Sequence, residues 1–201
     1  IVLAGPEHVR HVAEVPGVLP ALVAAVAAGG AAATPSLQQV AANSAVVLAK
    51  ITWVGYELTL RVAEAPRALR TLVAALAAGS TTATPSLQDT AAHSSQALAN
   101  IALASPELAR RVAQAPGALA TLVAAVAAGG AAAVPSLQSA ARSSAAALCR
   151  IAAAGAELAQ HVAGRADSAR RGRGSWRWCS QPKHTERGRE QRRGAGLHRL
   201  G

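Results

Sequence analysis

Aromatic and sulfur-bearing side chains are nearly missing from this chain: it has no Phe, no Met, one Tyr, three Trp and two Cys in 201 residues. Any core must then be built from Ala, Val, Leu and Ile, which bury little area each at about 25 cal/mol per Å2. Close helix approach and stacking have to carry such a fold. Cys149 and Cys179 lie in different regions without metal-ligand spacing, so neither a disulfide framework nor a zinc site is indicated. A reducing compartment, cytoplasm or nucleus, is the favoured location. Charge is absent between Glu14 and Lys50, yet Pro16, Gly17, Pro20, Gly29, Gly30 and Pro35 break that stretch. The apolar helix left over is about half of the ~20 residues that a hydrocarbon core needs, so no membrane span is expected.

Acidic residues are few, and the formal net charge is +10. The excess sits at one end. Residues 1–164 hold nine Lys/Arg against seven Asp/Glu, whereas residues 165–201 hold eleven against three.

What is present is a repeat. Pro35-Ser36-Leu37-Gln38 returns as Pro85-Ser86-Leu87-Gln88 and as Pro135-Ser136-Leu137-Gln138, each 50 residues on. Laying residues 1–50, 51–100 and 101–150 over one another without gaps leaves 21 of 50 columns identical, which Ala-rich composition alone does not give. A fixed period of roughly 20–50 residues marks stacked supersecondary units. Ile1 falls in the column of Ile51, Ile101 and Ile151, so the chain reads as starting mid-repeat, a fragment of a longer array.

Each unit reads as three helices. Ser105-Pro106-Glu107 supplies an N-cap, a proline at the first helical position and an acid at the positive end of the helix dipole. Leu108, Val112 and Ala115 form its stripe, and Pro116-Gly117 stops it. Equivalent starts are Gly5-Pro6-Glu7, Gly55-Tyr56-Glu57 and Gly155-Ala156-Glu157. A second helix spans 118–128 with Leu119, Leu122, Val123 and Val126 on one side, and Gly129-Gly130 is expected to end it. The third and longest helix begins at Pro-Ser-Leu-Gln. Leu137, Ala141, Ser144, Leu148 and Ile151 fall on one seam, as do Leu37, Ala41, Ser44, Leu48, Ile51 and Leu87, Ala91, Ser94, Leu98, Ile101. The seam is assigned to the core, with Leu37, Leu87 and Leu137 expected in equivalent buried sites.

Two residues on, about 200° around the helix, lies a stripe that changes from copy to copy: Gln39, Asn43, Val46, Lys50; Asp89, His93, Gln96, Asn100; Ser139, Ser143, Ala146, Arg150. An unvarying apolar edge backed by a variable polar one suits a stacked helix whose outer side binds a partner. The plainer alternative is a solvated face.

Three helices in the order short, medium and long resemble the armadillo repeat. Gly17-Val18-Leu19-Pro20-Ala21-Leu22-Val23 is similar to that family's second-helix start, Pro106-Glu107-Leu108 with Val112 to its first helix, and Gln88, Ala91 and Ala97-Leu98-Ala99-Asn100-Ile101-Ala102 to its third. The likeness covers residues 1–163, with a 50-residue period against a family value nearer ~42. It implies a groove lined by third helices, where an Asn ladder holds an extended peptide and a Trp ladder brackets its side chains. Asn100 matches the Asn position, Lys50 and Arg150 replace it elsewhere, and Val46, Gln96 and Ala146 stand where Trp would be. Basic peptides are thus poor ligands, and Lys50 and Arg150 favour acidic or polar ones.

Catalytic and metal readings are weak. Asp89 and His93 lie four apart on one face, but the sister columns carry Gln39/Asn43 and Ser139/Ser143, so a solvated pair is expected rather than a metal site. His8 and His11, beside Arg10, read as surface, Ser44, Ser94 and Ser144 as small packing residues, and Cys149 as one of an Ala column. Gly29-Gly30 and Gly129-Gly130 follow helices and cradle no phosphate. No enzyme, cofactor or metal is expected.

From residue 164 the repeat gives way to an Arg/Gly-rich tail, 164–201, expected to be disordered. Arg170, Arg171, Arg173, Trp176, Arg177 and Trp178 would suit an RNA- or DNA-binding arm, cations on phosphates and indoles on bases. A translated intron or shifted reading frame, a gene-model artefact, explains the abrupt change better, because the change leaves the first helix of a fourth unit without its partners and without a polar capping unit. The expected fold is therefore all-α: a right-handed solenoid of about three armadillo-like units (1–50, 51–100, 101–150 and a partial 151–163) acting as a protein-binding scaffold. The alternative function is nucleic-acid binding through the tail, which tail deletion would abolish together with its salt dependence.

Overall fold

A computed structural model describes residues 5–80 and 84–170, and among them the chain is all-helical, without a strand. The first unit contributes α1 (Pro6–Glu14), α2 (Val18–Ala28) and α3 (Pro35–Val54). The second contributes α4 (Tyr56–Glu64), α5 (Ala68–Gly79) and α6 (Pro85–Ala104), and the third α7 (Pro106–Gln114), α8 (Ala118–Ala131) and α9 (Pro135–Ala153). A final helix, α10, runs from Ala156 to Arg170.

Local sequence explains most boundaries. Thr34 and Thr84 cap α3 and α6 by accepting from the Leu37 and Leu87 N–H, and Ser105 caps α7 through the Leu108 N–H at 3.1 Å. Each cap precedes a proline, which lacks the N–H that a first turn leaves orphaned. Between first and second helices the chain turns sharply, by 93° at α1/α2 and 90° at α7/α8. The residue before each second helix is left-handed: Gly17 at φ 82°, Gly117 at φ 76° and, in the middle unit, Arg67 at φ 62°. A residue with a Cβ is strained there by about 1 kcal/mol.

Within each unit the short and medium helices pack on the long one. Between units, α3 packs on α6 and α6 on α9, while α2 packs on α5 and α5 on α8. One core runs through all of them, with Leu48, Ile51, Leu72, Leu76, Leu98, Ile101, Leu122 and Ile151 sealed from solvent. Polar contacts between units recur in register too: the Ser86 hydroxyl reaches Gln39 Oε1 at 3.2 Å, and 50 residues later the Ser136 hydroxyl reaches Asp89 Oδ1 at 2.6 Å.

Three expectations are corrected. Gly129-Gly130 does not end the second helix, for α8 continues to Ala131 and α5 contains Gly79. Gly29, Gly79 and Gly129 instead mark where second and third helices touch: a Cβ on any of them would lie within 3.0 Å of the Ala41, Ala91 or Ala141 methyl. The three PSLQ leucines do not share one environment, being 45% exposed at Leu37, 4% at Leu87 and half-buried at Leu137. Leu87 is covered because α6 lies between α3 and α9, whereas α3 is the first of its row among the described residues. Finally, residues 164–170 are helical rather than disordered. Pro16, Pro66 and Pro116 end the first helix of each unit, but their column holds Ala166, so nothing stops α10 before Arg170. Its continuation lets α10 pack on α8 as well as α9.

Candidate interaction surface

The variable stripe is a face of α3, α6 and α9, and the structure opens most of it to solvent. Gln39, Asn43, Asp89, Gln96, Ala146 and Arg150 are exposed, and Val46, Lys50, His93, Ser139 and Ser143 are half-buried. Gln39 donates from its amide to Asn43 Oδ1 at 3.3 Å and accepts from Ser86, so the stripe's N-terminal end is a polar row crossing from α3 to α6. Asp89 continues the row to α9 through Ser136.

Asn100 departs from that pattern. It is 9% exposed, and its amide donates at 3.2 Å both to the Ala49 carbonyl and to the Thr52 hydroxyl on α3. Thr52 donates in turn to the same carbonyl at 2.9 Å, and the Thr59 hydroxyl of α4 closes the group on the Thr52 carbonyl at 2.9 Å. Asn100 thus ties α6 to α3 instead of facing a ligand.

The stripe also extends further than the sequence reading took it. One more step of three residues from Lys50 and Asn100 reaches Trp53 and Leu103, which are 72% and 49% exposed. Tyr56, at the start of α4, is 55% exposed. In a chain with so few aromatic residues, a bare indole on the last turn of α3 is a costly side chain to leave in water. The steps of four, three, four and three that define the stripe would have found Trp53 had they been carried to the helix end.

No family model, curated protein or solved structure matches the chain. The surface must be read from its own residues.

Other predicted positions are placed as follows. His8, Arg10 and His11 are exposed on α1, and Cys149 is exposed on α9. Ser44 donates to the Val40 carbonyl at 2.8 Å, while the Ser94 and Ser144 hydroxyls are buried with no partner among the described residues. Among those residues no group of three His, Cys, Asp or Glu side chains is placed to hold a metal ion, and no single helix is long and apolar enough to cross a membrane. Arg171, Arg173, Trp176, Arg177 and Trp178 lie outside the described residues; Arg170 ends α10.

Proposed function

We propose that this chain is a non-enzymatic protein-binding scaffold, an armadillo-like right-handed α-solenoid that holds a partner segment along its third helices. The repeated order of helix contacts and the register of the Ser86–Gln39 and Ser136–Asp89 bonds support the stacked reading. The observation that carries the binding reading is the exposed stripe on α3 and α6, polar at its start and ending in Trp53 and Leu103. Tryptophan dominates binding hot spots because a large rigid ring gains much from desolvation at little entropic cost. Exposed Arg150 and half-buried Lys50 favour an acidic or polar segment over a basic one.

Peptides selected from a displayed linear library on the purified chain test this. Trp53→Ala is expected to weaken selected peptides roughly 30-fold, the equivalent of about 2 kcal/mol for a hot-spot residue, with unchanged circular dichroism. Reversing Lys50 and Arg150 to Glu should weaken acidic peptides further. Equal affinity of every selected peptide for native protein and the Trp53 variant would refute the assignment.

A further inference from the structure

The second helices of the first two units leave space between them. Bounded by the end of α2, the facing side of α5 and the start of α6 lies a half-open groove of about 450 Å3, within the roughly 300–1,000 Å3 of small-molecule sites. Its walls are largely Ala and Gly: Ala27, Gly29 and Gly30 on one side, Ala74, Ala75 and Ala78 on the other. At the next junction the helices meet more closely, for Ala125, in the column of the half-buried Ala75, is sealed.

Two cations line this groove. Arg67 and Arg70 belong to the second unit alone, since their columns hold Gly17 and Gly117, and Pro20 and Ala120. Arg67 is the N-cap of α5 and Arg70 lies in its first turn, where the positive end of the helix dipole disfavours a cation. Arg67 also takes a left-handed backbone, φ 62°, where the sister positions use glycine. Both placements cost the fold stability. The acids close in sequence are engaged elsewhere: Glu64 pairs with Arg111 at 3.7 Å, and Asp89 accepts from Ser136. Among the described residues no Asp or Glu lines the groove. The two guanidinium groups, and the half-buried Thr71 hydroxyl one turn on from Arg67, have no partner among those residues either.

We propose that this groove binds a small phosphate ester, its phosphate held by Arg67, Arg70 and the Thr71 hydroxyl and its aliphatic part laid along the Ala and Gly walls. A guanidinium presents a fork of N–H donors that fits phosphate oxygens. Two of them match the charge of about −1.5 to −2 that a phosphate monoester carries at neutral pH. A nucleotide fits poorly, because none of the lining residues is an aromatic on which a base could stack. The site lies among the second helices and does not rest on partner binding by the third-helix stripe, so either can fail while the other stands.

Titrations of the full chain at fixed ionic strength, followed by NMR, test it with butyl phosphate, inorganic phosphate and butanol as probes. The proteins compared are native, Arg67→Gly/Arg70→Ala and Gly30→Leu. The double variant takes the residues of the third unit and should fold, which far-UV circular dichroism checks for both variants. It also keeps the basic residues 171–201, so a loss of binding reports the groove. Gly30 lines the groove without a left-handed backbone, and a Cβ there would meet nothing within 4 Å, so leucine should fit and fill the space. Butyl phosphate is expected to bind native protein roughly tenfold tighter than inorganic phosphate, and butanol not at all. The double variant should lose roughly tenfold or more for both anions, and Gly30→Leu roughly tenfold for butyl phosphate alone. The proposal is overturned if the double variant binds butyl phosphate as native does, if butyl phosphate binds no tighter than inorganic phosphate, or if Gly30→Leu leaves its binding unchanged.

Discussion

Adjacent glycines in α8 offer a direct measurement of how closely second and third helices approach. Gly129 and Gly130 share a helix, so replacing either with Ala gains about 1 kcal/mol of helix propensity. Their surroundings differ. A Cβ on Gly130 meets nothing within 4 Å, whereas one on Gly129 comes within 3.0 Å of the Ala141 methyl and the Leu137 carbonyl oxygen. Carbon pairs are comfortable at about 3.5–4.0 Å, so α8 and α9 would have to separate along their whole contact. Forcing a methyl group into a packed site typically costs about 1–3 kcal/mol. Gly130→Ala should therefore raise the denaturant midpoint. Gly129→Ala should fall below it by the equivalent of about 1–3 kcal/mol, ending near native or under it. Equilibrium unfolding in urea, followed by far-UV circular dichroism, compares the two on one scale, provided the slope is unchanged. Adding Ala141→Gly to Gly129→Ala should recover part of the loss, because the Leu137 carbonyl still stands in the way. Equal midpoint shifts for the two single variants would refute the close-approach reasoning.

Two further outcomes follow from buried polar groups of the long helices. Asn100→Ala removes two hydrogen bonds between α6 and α3 and should cost about 1–3 kcal/mol by thermal or chemical unfolding; an unchanged midpoint would show that the bonds to Ala49 and Thr52 contribute nothing. Ser94→Ala removes a wholly buried hydroxyl that has no partner among the described residues and should stabilise by about 1 kcal/mol. Ser44→Ala, which gives up the bond to the Val40 carbonyl, should be close to neutral, and the reasoning fails if the two variants behave alike.

Helix type, helix order and most helix starts were legible in the sequence, because they depend on residues adjacent in the chain. A capping Thr or Ser before Pro, a Pro two residues past the first helix and a seam at steps of four and three are local signals, and each recurs three times. The signals misread were those with two physical meanings. Gly-Gly after an apolar helix resembles a stop, but a glycine can equally be the place where another helix touches, and Gly79 and Gly129 are of that second kind. The charge-rich composition past Ala163 reads as disorder, but Ala166 stands where a proline ends the first helix of the other units, and the helix runs on to Arg170.

The candidate surface divides in the same way. The heptad-like spacing placed Gln39, Asn43, Asp89 and Gln96 on an outward face, and their exposure follows from that spacing. Asn100 shares the spacing yet lies buried, because its amide is bonded to Ala49 and Thr52 on α3, a contact between helices that are distant in the chain. Repetition of sequence likewise implies repetition of environment only where neighbours repeat. Leu37 and Leu87 are identical in sequence and unlike in burial, and Ala92 and Arg142 occupy one column with opposite surroundings. The chain by itself determined the three-helix unit, since backbone hydrogen bonding and capping are short-range. Only the tertiary structure decided which side of each unit is sealed and which is open, because burial belongs to pairs of surfaces that the order of residues does not bring together.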